Sequence, residues 1–509
     1  MCCGMNDWAR CLRSELVRCI LPFIPGNTST WGDGMAQADV QTTAGNETLL
    51  VKQMKLNIEH LYQTVGQSPD YVIRHYSRSV EPGLTAAVVY NANLSNRQAI
   101  DDVITHLFDE SRPCEQERDE HLNPLHWVMA QASLIGSAAK SMNWKTVIRA
   151  VVTGDLIIFV EGSSEAVIVF TQGMEWRAIT EPTTQVTIRG PKDSFTESFS
   201  TNISLIRRRV KNENLWLEMF TVGDLTETDV AVMYINGLAD EKVIQEMRKR
   251  LNAIREDGIL ESGTIEKHLM DKKLSPFPTI YDTERPDGVV GHLMDGRIAV
   301  IVDGTPFVLI APVTFFQFFQ SVEDVYQLSD IGVLIRLLRY VGYFISLMLP
   351  ALYIAAITFH QEMIPTPLLI SLVAQREGVP FPVIVEALLM ELSFELMREA
   401  GVRMPRAVGQ AVSIVGALIL GQAAVQAGIV SAAMVIIVAA TGIASFTAPA
   451  FNIAISVRIL RFVLMILASV FGLFGILIGL FILVAHLSSL KSIGMPYFAF
   501  NLKRGQGKG

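Results

Sequence analysis

The chain has 509 residues, of which 50% are hydrophobic and 18% are charged, and its formal net charge is −8. This acidic balance, without a basic patch between aromatic residues, argues against a nucleic-acid partner. Four of the five cysteines lie near the N-terminus, at irregular spacing that favours neither a disulfide framework nor a metal site. They are Cys2, Cys3, Cys11, Cys19 and Cys114.

The first 48 residues are predicted to be a leader and a flexible linker. Residues 25–48 are rich in Gly, Ser, Thr and Asn, as flexible linkers are. The apolar stretch Leu16–Ile24 is short and is interrupted by Arg18 and Pro22, so it does not resemble a signal peptide. The soluble residues that follow are therefore expected to stay in the cytoplasm.

Residues 49–330 have mixed charges and alternate between strand and helix patterns. This alternation predicts an α/β region of two subdomains, residues 49–140 and 141–330. Predicted strands are Gly83–Tyr90, Leu156–Val160, Ala166–Phe170, Met174–Thr180, Trp216–Val222 and Asp229–Ile235. Predicted helices are Asn96–Phe108, Phe195–Val210 and Asp240–Ile254. A further hairpin, Ile298–Val302 with Phe307–Ile310, is predicted around the turn DGTP.

Three long stretches of the C-terminal part contain no Lys, Arg, Asp or Glu. They are Tyr340–Gln361, Ala407–Val457 and Phe462–Leu490. Because about 20 apolar residues span a bilayer core, they predict an α-helical multi-pass membrane domain over residues 331–490. Residues 491–509 then form a basic tail. The expected spans are 337–359, two within 408–448 with a turn near 426–428, and 462–487.

The segment between the first two spans, His360–Arg406, is broken into short pieces by Pro365, Pro367, Pro380 and Pro382. Irregular backbone at membrane depth is tolerated only within protein or beside a water-filled cavity. We therefore expect this segment to be re-entrant, interfacial or cavity-lining. Four full spans with a partly inserted segment is our preferred topology. Counting Phe381–Met397 as another span places Arg458 and Arg461 inside but exports the tail.

All acidic residues of the membrane region fall in this segment, and three of them are spaced by four: Glu391, Glu395 and Glu399. That spacing puts their carboxylates on one helical face. In an oligomer, such a face could border a cation path. The alternative is a helix at the membrane interface with its polar side in water.

Two glutamines and three glycines are the remaining candidate site residues. Gln422 and Gln426 share a helical face and could line a water path or form hydrogen bonds between helices. Gly421 belongs to a ridge with Ser413 and Ala417. Gly475 and Gly479 form a GxxxG motif, which permits close helix packing.

No motif of an enzyme, a metal site or a nucleotide cofactor is present, so we expect a non-enzyme without a cofactor. The basic run Arg207–Arg209 lies on a predicted helix. Its ordinary interpretation is a solvated face, and the alternative is a docking surface for a subunit or for lipid headgroups.

Several long stretches resemble the A subunit of spore germinant receptors, the GerA family of endospore-forming bacteria. Gly190–Met219 reads GPKDSFTESFSTNISLIRRRVKNENLWLEM, and Phe359–Pro382 reads FHQEMIPTPLLISLVAQREGVPFP. Asp295–Tyr326 and Arg398–Thr447 resemble the family similarly, and the resemblance covers roughly Leu50–Leu490.

The resemblance implies a role that the residues alone do not. Family members sit in the spore inner membrane with a transporter-like B subunit and a lipoprotein C subunit, and together they sense nutrients and trigger germination. The A subunit is implied to be a homo-oligomeric, ion-conducting part. The alternative is a non-conducting scaffold that couples a nutrient-binding partner to downstream effectors. A secondary transporter would show two broken regions in repeated halves, and only one is present.

Overall fold

The computed structural model describes most of the chain after residue 48. The described residues are 49–78, 84–108, 124–173, 182, 185, 187, 189–272, 274–403 and 421–499. They fall into two compact units: a sheet unit of residues 49–270 and 280–312, and a helical unit of residues 271–279 and 313–499. The leader, the five cysteines, the predicted strand 174–180, Ser413, Ala417 and the tail beyond 499 lie outside the described residues.

The first sheet of the sheet unit has the strand order β1-β2-β4-β5-β3, and all its pairs are antiparallel. Its elements are α1 (Met54–Thr64), β1 (Tyr71–Arg78), β2 (Leu84–Asn91), α2 (Arg97–Phe108), α3 (Pro124–Ile135), β3 (Ala138–Ser141), α4 (Trp144–Thr153), β4 (Leu156–Val160) and β5 (Ala166–Val169). Alternate residues of β4 point to opposite faces. One face packs against α1 and α4, and the other against α2 and α3.

This first sheet includes strands from both sides of residue 140, where the sequence placed a subdomain boundary. Strand β3 is an edge strand whose Ser141 pairs with Ala166 of β5. Because this pairing carries the sheet through to Val169, the change from the first sheet to the second comes after β5.

The second sheet repeats the antiparallel plan, with the order β6-β7-β9-β10-β8. Its elements are α5 (Phe199–Arg209), β6 (Leu215–Val222), β7 (Thr228–Ile235), α6 (Glu241–Ala253), α7 (Ser262–Leu269), β8 (Tyr281–Thr283), α8 (Pro286–Met294), β9 (Ile298–Val302) and β10 (Val308–Ala311). Helix α5 begins four residues later than predicted, because Asn202 bonds the backbone of Thr196 and holds that stretch outside the helix.

The expectation of a solvated face for Arg207 is wrong. Arg207 is 1% exposed and points from α5 toward the first sheet, where its guanidinium lies 2.6 Å from the carboxylate of Asp70. It also donates to the hydroxyl of Tyr71 and to the carbonyl of Leu215. A guanidinium with a carboxylate partner and two further acceptors can be buried, whereas the neighbouring Arg208 is exposed. The pair therefore joins the two sheets.

Among its described residues, the helical unit contains two helices that are long and apolar enough to cross a membrane, α10 and α14. Its elements are a 3₁₀ turn (Phe315–Phe319), α9 (Glu323–Tyr326), α10 (Ser329–Thr358), a second 3₁₀ turn (Gln361–Met363), α11 (Thr366–Arg376), α12 (Val383–Arg403), helical residues 421–426, α13 (Ala432–Ser445), α14 (Phe451–Ser489), β11 (Lys491–Ser492) and β12 (Met495–Pro496). Much of α14 presents large apolar side chains outward, including Phe474 and Phe481. Such an apolar exterior suits lipid better than water.

Helix α14 is a helical hairpin rather than one straight span of residues 462–487 as the sequence predicted. Gly472 breaks the helix, with φ of 61° and ψ of −140°, a conformation that glycine favours. A Cβ at Gly479 would lie 2.5 Å from Leu464 Cδ2. In a straight helix, Leu464 and Gly479 would lie about 22 Å apart along the axis. The arms 451–471 and 473–489 therefore pack side by side, and they rise about 30 Å and 25 Å.

Candidate functional site

The predicted carboxylate face of α12 packs against the first arm of the α14 hairpin. Glu391 is fully buried, and one carboxylate oxygen lies 3.2 Å from Nη2 of Arg461, which is 1% exposed. The same Nη2 donates to Glu395 at 3.1 Å. One guanidinium thus bridges two of the three predicted carboxylates.

Two more arginines surround Glu395. Arg398 forms an ion pair with it from one turn further along α12, and Arg458 lies 3.7 Å away on the hairpin arm. Glu399 is exposed and interacts electrostatically with Arg458. Carboxylates and arginines are therefore interleaved, and Glu399 is the most exposed acidic group of the three.

A fourth carboxylate, Glu386, connects α12 to two other helices, α11 and α13. It is fully buried at the start of α12, where it accepts the backbone N–H of Ser431 at 3.0 Å and pairs with Arg376 at 3.2 Å. Ser431 is the N-cap of α13, and Arg376 ends α11. Glu386 therefore holds α11 and α12, the two helices of the Pro-broken segment, to the start of α13.

The predicted polar and small residues differ in their surroundings. Gln422 and Gln426 are both exposed, whereas Gly421 is buried, with its Cβ position 3.5 Å from Val435, an ordinary contact. Gly475 and Gly479 lie on the second hairpin arm and face Leu467 and Leu464 of the first arm. The close approach at the GxxxG motif is thus within one chain.

A separate cavity of about 630 Å³ opens in the sheet unit between the end of α1 and strand β6. Glu218 lies in its wall and accepts from both Nε and Nη2 of Arg248, at 2.7 and 2.6 Å, and from Tyr234. Burial alone would raise the pKa of Glu218, but these hydrogen bonds hold it below its ordinary value. Trp216 adds an aromatic wall over Gly66.

Sequence patterns did not reveal the partners of these groups. Arg461 lies between two uncharged stretches, and its distance from Glu391 along the chain gives no pairing signal. The position of Arg461 among apolar residues was the one sequence signal for an ion pair, because a charged residue in such surroundings needs a partner. Among the described residues, no group of three His, Cys, Asp or Glu side chains could hold a metal ion.

Two antiparallel sheets followed by helices apolar enough to cross a membrane fit a membrane-associated protein with a large N-terminal α/β region. The family described as Bacillus/Clostridium GerA spore germination protein matches residues 59–505. This chain therefore belongs to the GerA family of spore germination proteins, which confirms the resemblance seen in the sequence.

Two individual relatives and one solved structure are similar to this chain. Spore germination protein KA of Bacillus subtilis (strain 168) is 50% identical over 451 residues, 89% of this chain and 82% of that protein. Uncharacterized membrane protein YfkQ of the same strain is 46% identical over 451 residues, 88% and 85% of the two chains. The crystal structure of the N-terminal domain of the A subunit of the Bacillus megaterium spore germinant receptor GerK3 is 36% identical, covers 53% of this chain and 99% of that chain, and gives a TM-score of 0.43.

Proposed function

We propose that this chain is a membrane subunit of a germinant receptor that triggers spore germination, and that it acts as an oligomeric cation-conducting channel. The observation that carries the germination role is the family match over residues 59–505. The apolar exterior of α10 and α14 supports a multi-pass position in the spore inner membrane, with the sheet unit in the spore core.

The cation path is proposed along the face of α12 that carries Glu391, Glu395 and Glu399. Since Arg461 neutralises much of the first two, Glu399 supplies the most accessible negative charge. Gln422 and Gln426, in the helical residues 421–426, are also exposed. Polar groups at membrane depth usually face an aqueous cavity or another protein surface. Neighbouring subunits would enclose these groups around a common path.

A specific observation also favours the second candidate, a non-conducting signalling scaffold. The ion pairs between α12 and the α14 hairpin explain Glu391 and Glu395 without any ion path. On this account the sheet unit couples a nutrient-binding partner to downstream germination effectors. Under both candidates, the proposed partners are a transporter-like B subunit, a lipoprotein C subunit and further copies of this chain.

Spores that carry Glu399→Gln separate the two candidates, because this change removes an exposed charge and leaves the buried Glu391–Arg461 pair intact. We expect normal protein level and a several-fold slower release of monovalent cations after nutrient addition. Glu362→Gln, at an exposed residue of the same Pro-broken segment, is the matched control. Parental release rates in both variants would support the scaffold. A deletion strain that germinates normally with every nutrient would contradict the germination role.

A further inference from the structure

Two leucines stand exposed at one end of the second sheet. Leu225 is 80% and Leu260 is 82% exposed. They lie in different loops, the β6–β7 turn and the α6–α7 connection. Backbone hydrogen bonds join these loops, since the N–H of Leu225 donates to Asp257 at 2.8 Å and that of Asp224 to Glu256 at 2.9 Å.

Side chains hold the two loops together as well. The N–H of Ile259 donates to the hydroxyl of Thr226 at 3.0 Å, and Thr228 donates back to the carbonyl of Ile259 at 2.9 Å. Glu227 has a φ of 44°, which is uncommon for a residue with a side chain. Single exposed leucines are ordinary, but a pair presented on loops fixed in this way is a preformed apolar projection.

Acidic side chains surround this projection. Asp224, Glu227 and Asp257 are all exposed in the two loops that carry the leucines, and the exposed Arg255 and Glu256 of the same loops leave them net negative. We call these five residues, Leu225, Leu260, Asp224, Glu227 and Asp257, the leucine knob. Its charge predicts a partner surface that is basic at the rim and apolar at the centre.

The first sheet carries a surface of this description. Helices α1 and α4 pack on the same face of this sheet, and the rings of His60 and Trp144 lie 4.5 Å apart between them, so their outer sides adjoin. That surface exposes four basic side chains and Leu56, which is 50% exposed. We call Lys52, Lys55, Leu56, Lys145 and Arg149 the basic patch. Glu59 of α1 is exposed beside it and leaves the surface net positive.

We propose that the leucine knob of one copy docks on the basic patch of a second copy of this chain. The two surfaces belong to different sheets, so each copy would use its knob toward one neighbour and its patch toward the other. Such a head-to-tail contact closes into a ring when the rotation permits. The charges set orientation and association rate, and the leucines become buried. This inference rests on the proposed oligomer and specifies one interface within it. It does not depend on ion conduction.

Site-directed cross-linking of the full-length chain tests the contact. In a background with the five native cysteines changed to serine, Leu225→Cys goes into one tagged copy and Leu56→Cys into a second copy with another tag. We expect a disulfide between the tags after co-reconstitution in nanodiscs. Leu225→Cys with Leu134→Cys is the control pair, because Leu134 is 76% exposed on α3, on the opposite face of the first sheet.

Charge changes then test the complementarity. Lys145→Glu with Arg149→Glu should lower the cross-link at least tenfold, and Asp224→Lys with Asp257→Lys in the other copy should restore it. Equal cross-linking of the control pair, or indifference to the charge reversals, would overturn the proposal. If the chain is oligomeric by mass photometry but forms no knob-to-patch disulfide, the oligomer stands and this contact is wrong.

Discussion

Arg461 on the α14 hairpin and Glu391 on α12 form an ion pair in which both side chains are inaccessible to solvent, at 1% and 0% exposure. Removing one partner of such a pair leaves an uncompensated buried charge, which costs about 3 kcal/mol or more. We therefore expect Arg461→Gln to destabilise the full-length protein strongly in detergent.

The double variant Glu391→Gln with Arg461→Gln should lose less stability than the sum of the single variants, because no charge is then left unpaired. Thermal unfolding of the four proteins measures this coupling. Glu377→Gln, an exposed carboxylate at the end of α11, is the control and should unfold as the parent does. Additive losses would show that the pair does not couple α12 to the hairpin.

The hairpin predicts a specific rescue. Gly479→Ala puts a methyl group 2.5 Å from Leu464 Cδ2, so this buried side chain must move within the packed hairpin and the protein level should fall. Leu464→Ala opens space for that methyl group and should restore part of the loss. Gly378→Ala has no heavy atom within 4 Å and serves as the control. If Leu464→Ala worsens the defect of Gly479→Ala by its full single-variant effect, the arms do not pack as described.

Arg207 should matter far more than Arg208, although they are adjacent in a basic run. Arg207→Met leaves Asp70 buried without its cation, and we expect a loss of about 3 kcal/mol in the unfolding free energy. Arg208→Met changes an exposed side chain, with an expected effect within about 0.5 kcal/mol. Urea unfolding monitored by tryptophan fluorescence compares the two, and equal effects would contradict the junction role of Arg207.

Glu266 predicts a pH dependence of stability. Burial, with smaller contributions from Asp282 and Glu261, raises the pKa of Glu266 from 4.5 to about 7. Between these values the folded protein holds a proton that the unfolded chain releases, so this group's stabilising contribution falls as the pH rises through 7.

Glu266→Gln removes that contribution. We expect the variant to gain thermal stability relative to the parent at pH 8 and to differ little at pH 4, as measured by melting temperatures across this range. The exposed Glu161→Gln is the control. An unchanged difference between variant and parent at every pH would contradict the assignment.

Local patterns predicted much of the sheet unit. The hairpin Leu156–Val160 with Ala166–Phe170 has its strands almost where the two apolar runs placed them, because strands buried on both faces have continuous apolar sequences. The boundary at residue 140 missed the pairing of β3 with β5, since a four-residue edge strand gives a weak signal.

Local sequence patterns did not predict features that depend on contacts between residues far apart in the chain. A basic run such as Arg207–Arg209 has the same composition whether one member is buried or none is, and only the position of Asp70 distinguishes the cases. Likewise, the uncharged stretch around Gly472 is compatible with one straight span and with a hairpin, because the length of an apolar stretch does not show whether the helix reverses direction. The carboxylate spacing of α12 predicted a shared face but not the arginines that lie against Glu391 and Glu395.

The reversal potential of the purified full-length protein in planar bilayers tests the conducting role most directly. Under a tenfold KCl gradient, we expect stepwise currents whose reversal potential lies toward the potassium equilibrium potential. Glu399→Gln should shift the reversal potential toward zero, whereas Glu362→Gln should leave it unchanged. Protein that reconstitutes as an oligomer yet passes no current, with or without its partner subunits and nutrient, would contradict the channel and leave the scaffold.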